Sequence, residues 1–193
     1  MRVLFLASAI ALVVGSTCVR AETMHMHSMN TASMAGPTPQ ALASAAKVPS
    51  TAAFINTAAA ANQFEIVSSR LALLKTFNPK IRAFASTMVK DHTLIGNNFV
   101  AALGTADTGI TPPAGLGADL DAIMTKLRGT YGPAFEAEYI AAQTKGHQAA
   151  VGLFAGYAKG GANPVMKAFA KSTLPTIQMH LDMCYELAAA LKK

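Results

Sequence analysis

Two stretches 85 residues apart, NPKIRAFAS at 78–86 and NPVMKAFAK at 163–171, share Asn, Pro, Ala, Phe and Ala in register. Asn is a strong helix N-cap and Pro is favoured at the first helical position, so each Asn-Pro pair starts a helix. The segments ahead of them also correspond, Ala53-Phe54 matching Ala134-Phe135 at an offset of 81. A chain that writes one helical hairpin twice carries two apolar stripes, and packing the hairpins face to face covers both.

The repeat predicts four long helices, roughly 51–76, 79–103, 133–159 and 164–191, with Ser50 or Thr51 capping the first. Gly160-Gly161 is expected to close the third by supplying positive φ, and Pro175 to kink the fourth near Thr173–Leu174. A composition that is 52% hydrophobic, 13% charged and rich in Ala suits closely packed helices, and no run alternates as a strand would. The link at 104–132 is far longer than a usual helix–helix loop. It has an amphipathic pattern of its own through Leu116, Leu120, Ile123 and Leu127. One long crossover after the second of four helices is the ferritin-like arrangement. The expected fold is therefore all-α, a ferritin-like four-helix bundle over 49–193 made of two repeated hairpins, with a short helix in the crossover.

Ahead of the bundle, residues 1–21 read as a secretory signal peptide. Arg2 precedes an apolar run from Val3 to Val14, too short to span a bilayer, and Val19-x-Ala21 offers small residues before a cut at Glu22. Cys18 stands where a lipid anchor could attach, but Thr17 precedes it where lipoprotein leaders carry Gly, Ala or Ser, so a lipoprotein is not expected. The reading is an exported protein, periplasmic or outer-membrane associated, without a transmembrane helix. If Cys18 leaves with the leader, Cys184 is the one cysteine remaining and no intrachain disulfide can form. Losing Arg2 and Arg20 as well leaves 14 of the 16 basic residues against 10 acidic ones, a net +4 without basic clusters, which gives no argument for nucleic acid. A protein partner in the envelope or a second copy of the chain remains compatible with the sequence.

Polar residues interrupt the apolar stripes at corresponding places. His92 falls in the line Ile81, Phe84, Met88, Ile95 and Phe99; His147 in the line Ile140, Gln143, Val151 and Phe154; His180 in the line Met166, Phe169, Thr173, Cys184 and Leu187. Glu65 sits at the edge of the first helix's stripe. Heights match too: Glu65 lies 13 residues before Asn78 and His92 14 after it, while His147 lies 16 before Asn163 and His180 17 after it. In antiparallel hairpins each pair is level, and the two pairs differ by about one turn, ~5 Å.

Imidazoles and a carboxylate on facing helices can ligate Zn, Cu or Fe. Glu65, His92, His147 and His180 are therefore the candidate metal ligands. Asp91 and Cys184 are secondary, Asp91 reading more simply as a solvated residue and Cys184 as a small buried hydrophobe. Ring nitrogens within ~4–5 Å of one another would mark a site, because ligand bonds are ~2 Å. The competing reading is a polar cluster that only sets helix register. Glu136 and Glu138 open the third helix, where carboxylates suit the dipole and need no other role.

Residues 22–48, rich in Met, Ser, Thr, Ala, Gly and Pro, show no helical period and read as a disordered tail. It includes MHMHSM, in which Met24, His25, Met26, His27 and Met29 form an accessory candidate for copper.

The chain resembles the domain-of-unknown-function 4142 family of exported, ferritin-like bacterial proteins. The likeness runs over about 51–187, through FEIVSSRLAL, IRAFASTMVKDH, AFEAEYIAAQTKGH with AVGLF, and NPVMKAFAKSTLPTIQMHL. The matching positions are Glu65, Asp91, His92, His147 and His180. The family often has an acid just before the third-helix His, where this chain has Gly146. The resemblance implies a fold and a location but no established activity. A di-iron oxidase would need a Glu three residues before the His on two helices, and Val89 and Ile177 stand there instead. With no Ser-His-Asp set, phosphate loop or HExxH, no catalytic residue is assigned and a non-catalytic protein is expected.

Overall fold

The computed structural model describes residues 36–192. The leader and the Met24–Met29 stretch lie outside the described residues. Those described form α1 (Pro39–Ser44), α2 (Thr51–Lys75), α3 (Pro79–Thr105), α4 (Ala118–Gly129), α5 (Gly132–Gly160) and α6 (Pro164–Ala190), with no strand among them.

The helix starts follow the cap chemistry. Asn78 Oδ1 accepts from the Lys80 amide at 3.1 Å, and Asn163 Oδ1 from the amides of Val165 and Met166 at 3.1 and 3.0 Å. Ser50 Oγ accepts from the Ala53 amide at 3.2 Å. Helix α2 packs on α3 and α5, and α6 packs on α5 and α3, so the two hairpins face each other along their length. The crossover helix α4 lies against α2 and α5. Helix α6 continues unbroken past Pro175, which is exposed and has no N–H to give the Lys171 carbonyl.

Three sequence expectations change. Residues 39–44, assigned above to a disordered tail, form α1, capped by Thr38 with Pro39 at its start. Leu42 and Ala43 pack onto the core, and the Tyr185 hydroxyl donates to the Pro37 carbonyl at 2.6 Å. Six residues are too few to display a helical period, although Thr38-Pro39 repeats the cap-then-proline signal.

Gly160-Gly161 does not end α5 through positive φ, since Gly161 has φ −56°. Close packing explains these glycines instead. A Cβ on Gly161 would come within 2.5 Å of the Tyr157 ring, and one on Gly160 within 2.6 Å of Val48.

Glu136 does more than complement a helix dipole. Its carboxylate accepts from the Thr76 hydroxyl and from Asn78 Nδ2, joining the start of α5 to the α2–α3 turn.

The core consists of two apolar clusters. One gathers Phe54, Phe99, Phe154, Tyr157 and Phe169, the other Phe84, Met88, Leu127, Phe135 and Tyr139. On α3 and α5 the buried His92 and His147 fall where the chain passes from one cluster to the other, and on α6 the buried His180 stands one turn before Cys184 of the second cluster.

Lys75 holds the crossover in place. Its Nζ donates to the carbonyls of Leu127, Arg128 and Thr130 at 2.9, 2.6 and 2.6 Å and lies 3.9 Å from the centre of the Tyr131 ring. Lys75→Ala is expected to lower stability by about 1–3 kcal/mol, because the freed carbonyls lose a charged donor. Urea unfolding checks it, and a variant within experimental error of the parent contradicts it.

Candidate metal centre

One ring nitrogen from each of His92, His147 and His180 lies within 4.8 Å of the other two, and all three residues are buried. The ring centres are 5.3 to 5.7 Å apart. That meets the spacing expected of a site. Tetrahedral ligation with ~2.0–2.1 Å bonds needs nitrogens ~3.3 Å apart, so closing on an ion would draw the rings in by about 1–1.5 Å.

Each ring is held by one nitrogen. His92 Nδ1–H donates to Asn62 Oδ1 at 3.0 Å, His147 Nδ1–H to the Gln143 carbonyl at 2.9 Å, and His180 Nε2–H to Asp91 Oδ2 at 3.0 Å. These oxygens only accept, so the proton of each neutral ring is fixed on the bonded nitrogen and the other nitrogen keeps a lone pair. Those other nitrogens are His92 Nε2, His147 Nε2 and His180 Nδ1, each buried without a partner among the described residues. Orienting a ring through its far nitrogen is how metal-binding histidines are commonly prepared.

Electrostatics keep the pocket neutral. Burial lowers His147 to about 3, with His180 nearby adding to the effect and the Gln143 carbonyl opposing it. Burial first, then His147 and His180, take His92 well below 6.5; burial also lowers His180, against the pull of Asp91. Burial raises Glu65 to about 8, partly offset by the Gln143 amide. Glu65 Oε1 and His147 Nδ1 approach to 3.8 Å, yet at neutral pH this is a contact between a carboxylic acid and a neutral ring, not an ion pair.

The remaining candidates divide. Glu65 is buried beside His147 but does not join the three converging nitrogens. Asp91 is the orienting partner of His180 rather than a solvated residue; its place beside the seam lets it reach across from α3 to α6. Cys184 is fully buried in the second apolar cluster and is not part of the histidine group.

Asn62 and Gln143 were missed as orienting groups. The Gln143 acceptor is its backbone carbonyl, one turn before His147 on the same helix, so the residue type at 143 carried no signal for it. For Asn62 the signal is Gly96, where a Cβ would stand 2.9 Å from Asn62 Nδ2. Gly146 likewise leaves room for Glu65, whose Oε1 would be 3.1 Å from a Cβ there.

Fold and site together define an all-helical domain with a buried three-histidine group able to hold a metal ion. The chain belongs to the DUF4142 family, described as a domain of unknown function, whose model matches residues 36–187. No match was found among curated proteins or among solved structures.

The shifts give a pH test. Glu65 titrates near 8 when folded against 4.5 ordinarily, so its contribution to stability is full below 4.5 and is lost as pH rises through 8. The histidines act oppositely: with His147 lowered from 6.5 to about 3, stability is intact above 6.5 and falls as pH drops toward 3. Glu65→Gln should therefore remove the alkaline loss, a gain relative to the parent on the order of 2–4 kcal/mol between pH 5 and pH 8. Urea unfolding without added metal at the two pH values measures it. Parallel behaviour of parent and variant contradicts it.

Proposed function

We propose that this is an exported protein that binds one transition-metal ion, Zn, Cu or Fe, through His92, His147 and His180, with Glu65 beside them. The observation that carries the reading is the set of three buried imidazole lone pairs. Five buried side-chain atoms lack a partner among the described residues, and all five belong to this site: Glu65 Oε2, Gln143 Oε1 and the three ring nitrogens. At about 1 kcal/mol or more each, they cost on the order of 5 kcal/mol. Whole domains are stable by only about 5–15 kcal/mol.

A network serving only helix register would gain by satisfying its members. A cation satisfies three lone pairs at once, whereas one water has two hydrogens to donate. A single carboxylate beside three histidines fits one ion better than two. Export rests on the leader-like residues 1–21, and among the described residues no helix is long and apolar enough to cross a membrane. The ferritin-like arrangement is proposed from the two facing hairpins and the crossover between the second and third long helices.

The test uses protein lacking Met24–Met29, so that the tail ligands cannot contribute. Offered Zn(II), Cu(II) and Fe(II) in turn, it should retain about one equivalent of at least one of them after desalting, with a metal-dependent rise in melting temperature. The His92→Ala, His147→Ala double variant should retain none. Unchanged retention in that variant, or no retention in the parent, rules the reading out.

Asp91→Ala keeps all three ligands but frees the His180 ring. It should weaken the metal about 10–100-fold, as loss of an orienting partner does elsewhere. Competition with a chromophoric chelator measures this, and unchanged affinity removes Asp91 from the site.

A further inference from the structure

Beside His92 and His147 lies a cavity of about 20 Å³, with Glu65 and these two histidines on its polar side and Ala58, Ala61, Ala150 and Phe154 among its apolar walls. A volume of ~10–15 Å³ is enough for one water-sized occupant. A surface groove of about 520 Å³ runs between α2 and α5 under residues 116–120 of the crossover. Ala61, Ala150 and Phe154 line this groove as well. Cavity and groove are thus neighbours that share two alanines and one aromatic ring as a common wall.

We infer that the metal keeps one coordination position open toward this cavity, for an exogenous ligand of one or two heavy atoms that arrives through the α2–α5 groove. The inference rests on the proposed metal binding. Three imidazoles leave a four-coordinate ion one ligand short, and sites with three protein ligands place water or a small molecule there. Glu65 could fill that position only by turning toward the ion, since its carboxylate is outside the converging set and lines the cavity instead. The apolar walls admit a small ligand without competing to coordinate, and the cavity is too small for a larger one.

Cobalt(II) serves as the reporter ion and cyanide as the probe, with bound cobalt quantified after desalting. The cobalt-loaded protein should show a shift in its visible bands with cyanide and none with imidazole, which has five heavy atoms. Ala58→Val, which narrows the cavity from inside, should abolish the cyanide shift while cobalt stays bound. Ala61→Val, in the shared wall, should slow cyanide uptake at least tenfold. Phe154→Leu, which thins the wall, should speed it and guards against a misfolded valine variant. Failure of the protein to take up cobalt overturns the metal reading and this one with it. Cobalt uptake with no cyanide shift overturns the open position alone. Cyanide rates unchanged in both Ala61→Val and Phe154→Leu overturn the route.

Discussion

Buried imidazole lone pairs that no donor meets among the described residues are the constraint on which the rest of this structure turns. The two apolar clusters hold the helices together, but neither requires a histidine at 92, 147 or 180. Leucine or methionine at those places would pack without the desolvation cost. What the chain has there instead is three rings, each turned by an acceptor so that its proton is directed to that acceptor. Two of the acceptors reach across helices, Asn62 from α2 to His92 and Asp91 from α3 to His180, so those ring orientations depend on helix register, while the Gln143 carbonyl turns His147 within α5 itself.

The scaffold is rigid where the site needs it to be. Asn-Pro caps fix the starts of α3 and α6, and thereby the heights of His92 and His180 above those starts. Glu136 and Lys75 join the helix ends and the crossover at one end of the hairpins. Glycines at 96 and 146 leave space for the side chains of Asn62 and Glu65. Burial keeps the rings uncharged and Glu65 protonated near neutral pH, so a cation meets no competing positive charge in the pocket.

Much of this was legible in the sequence because it depends on period and punctuation. The repeated Asn-Pro starts, the 3–4 spacing of the apolar lines and the matched heights led to the four long helices and to the convergence of three histidines. What was not legible depends on side-chain reach across helices. Asp91 points about 100° from His92 around α3, and only the neighbouring α6 reveals that it meets His180. Glu65 was placed at the right level, but a seam-edge position does not say whether its carboxylate turns toward the rings. Helix α1 escaped because one and a half turns carry no period, and Gly160-Gly161 was given a conformational reason where the reason is contact with Tyr157 and Val48.

The most direct test of the account is the nitrogen chemical shifts of the three imidazole rings, followed by NMR as Zn(II) is added to one equivalent. Without metal, the proton should sit on Nδ1 of His92 and His147 and on Nε2 of His180, with no ring charged at pH 7. With metal, the other three nitrogens, Nε2 of His92 and His147 and Nδ1 of His180, should move together to coordinated values while the protonated ones stay. Charged rings, the opposite tautomers, or three spectra indifferent to zinc would contradict it.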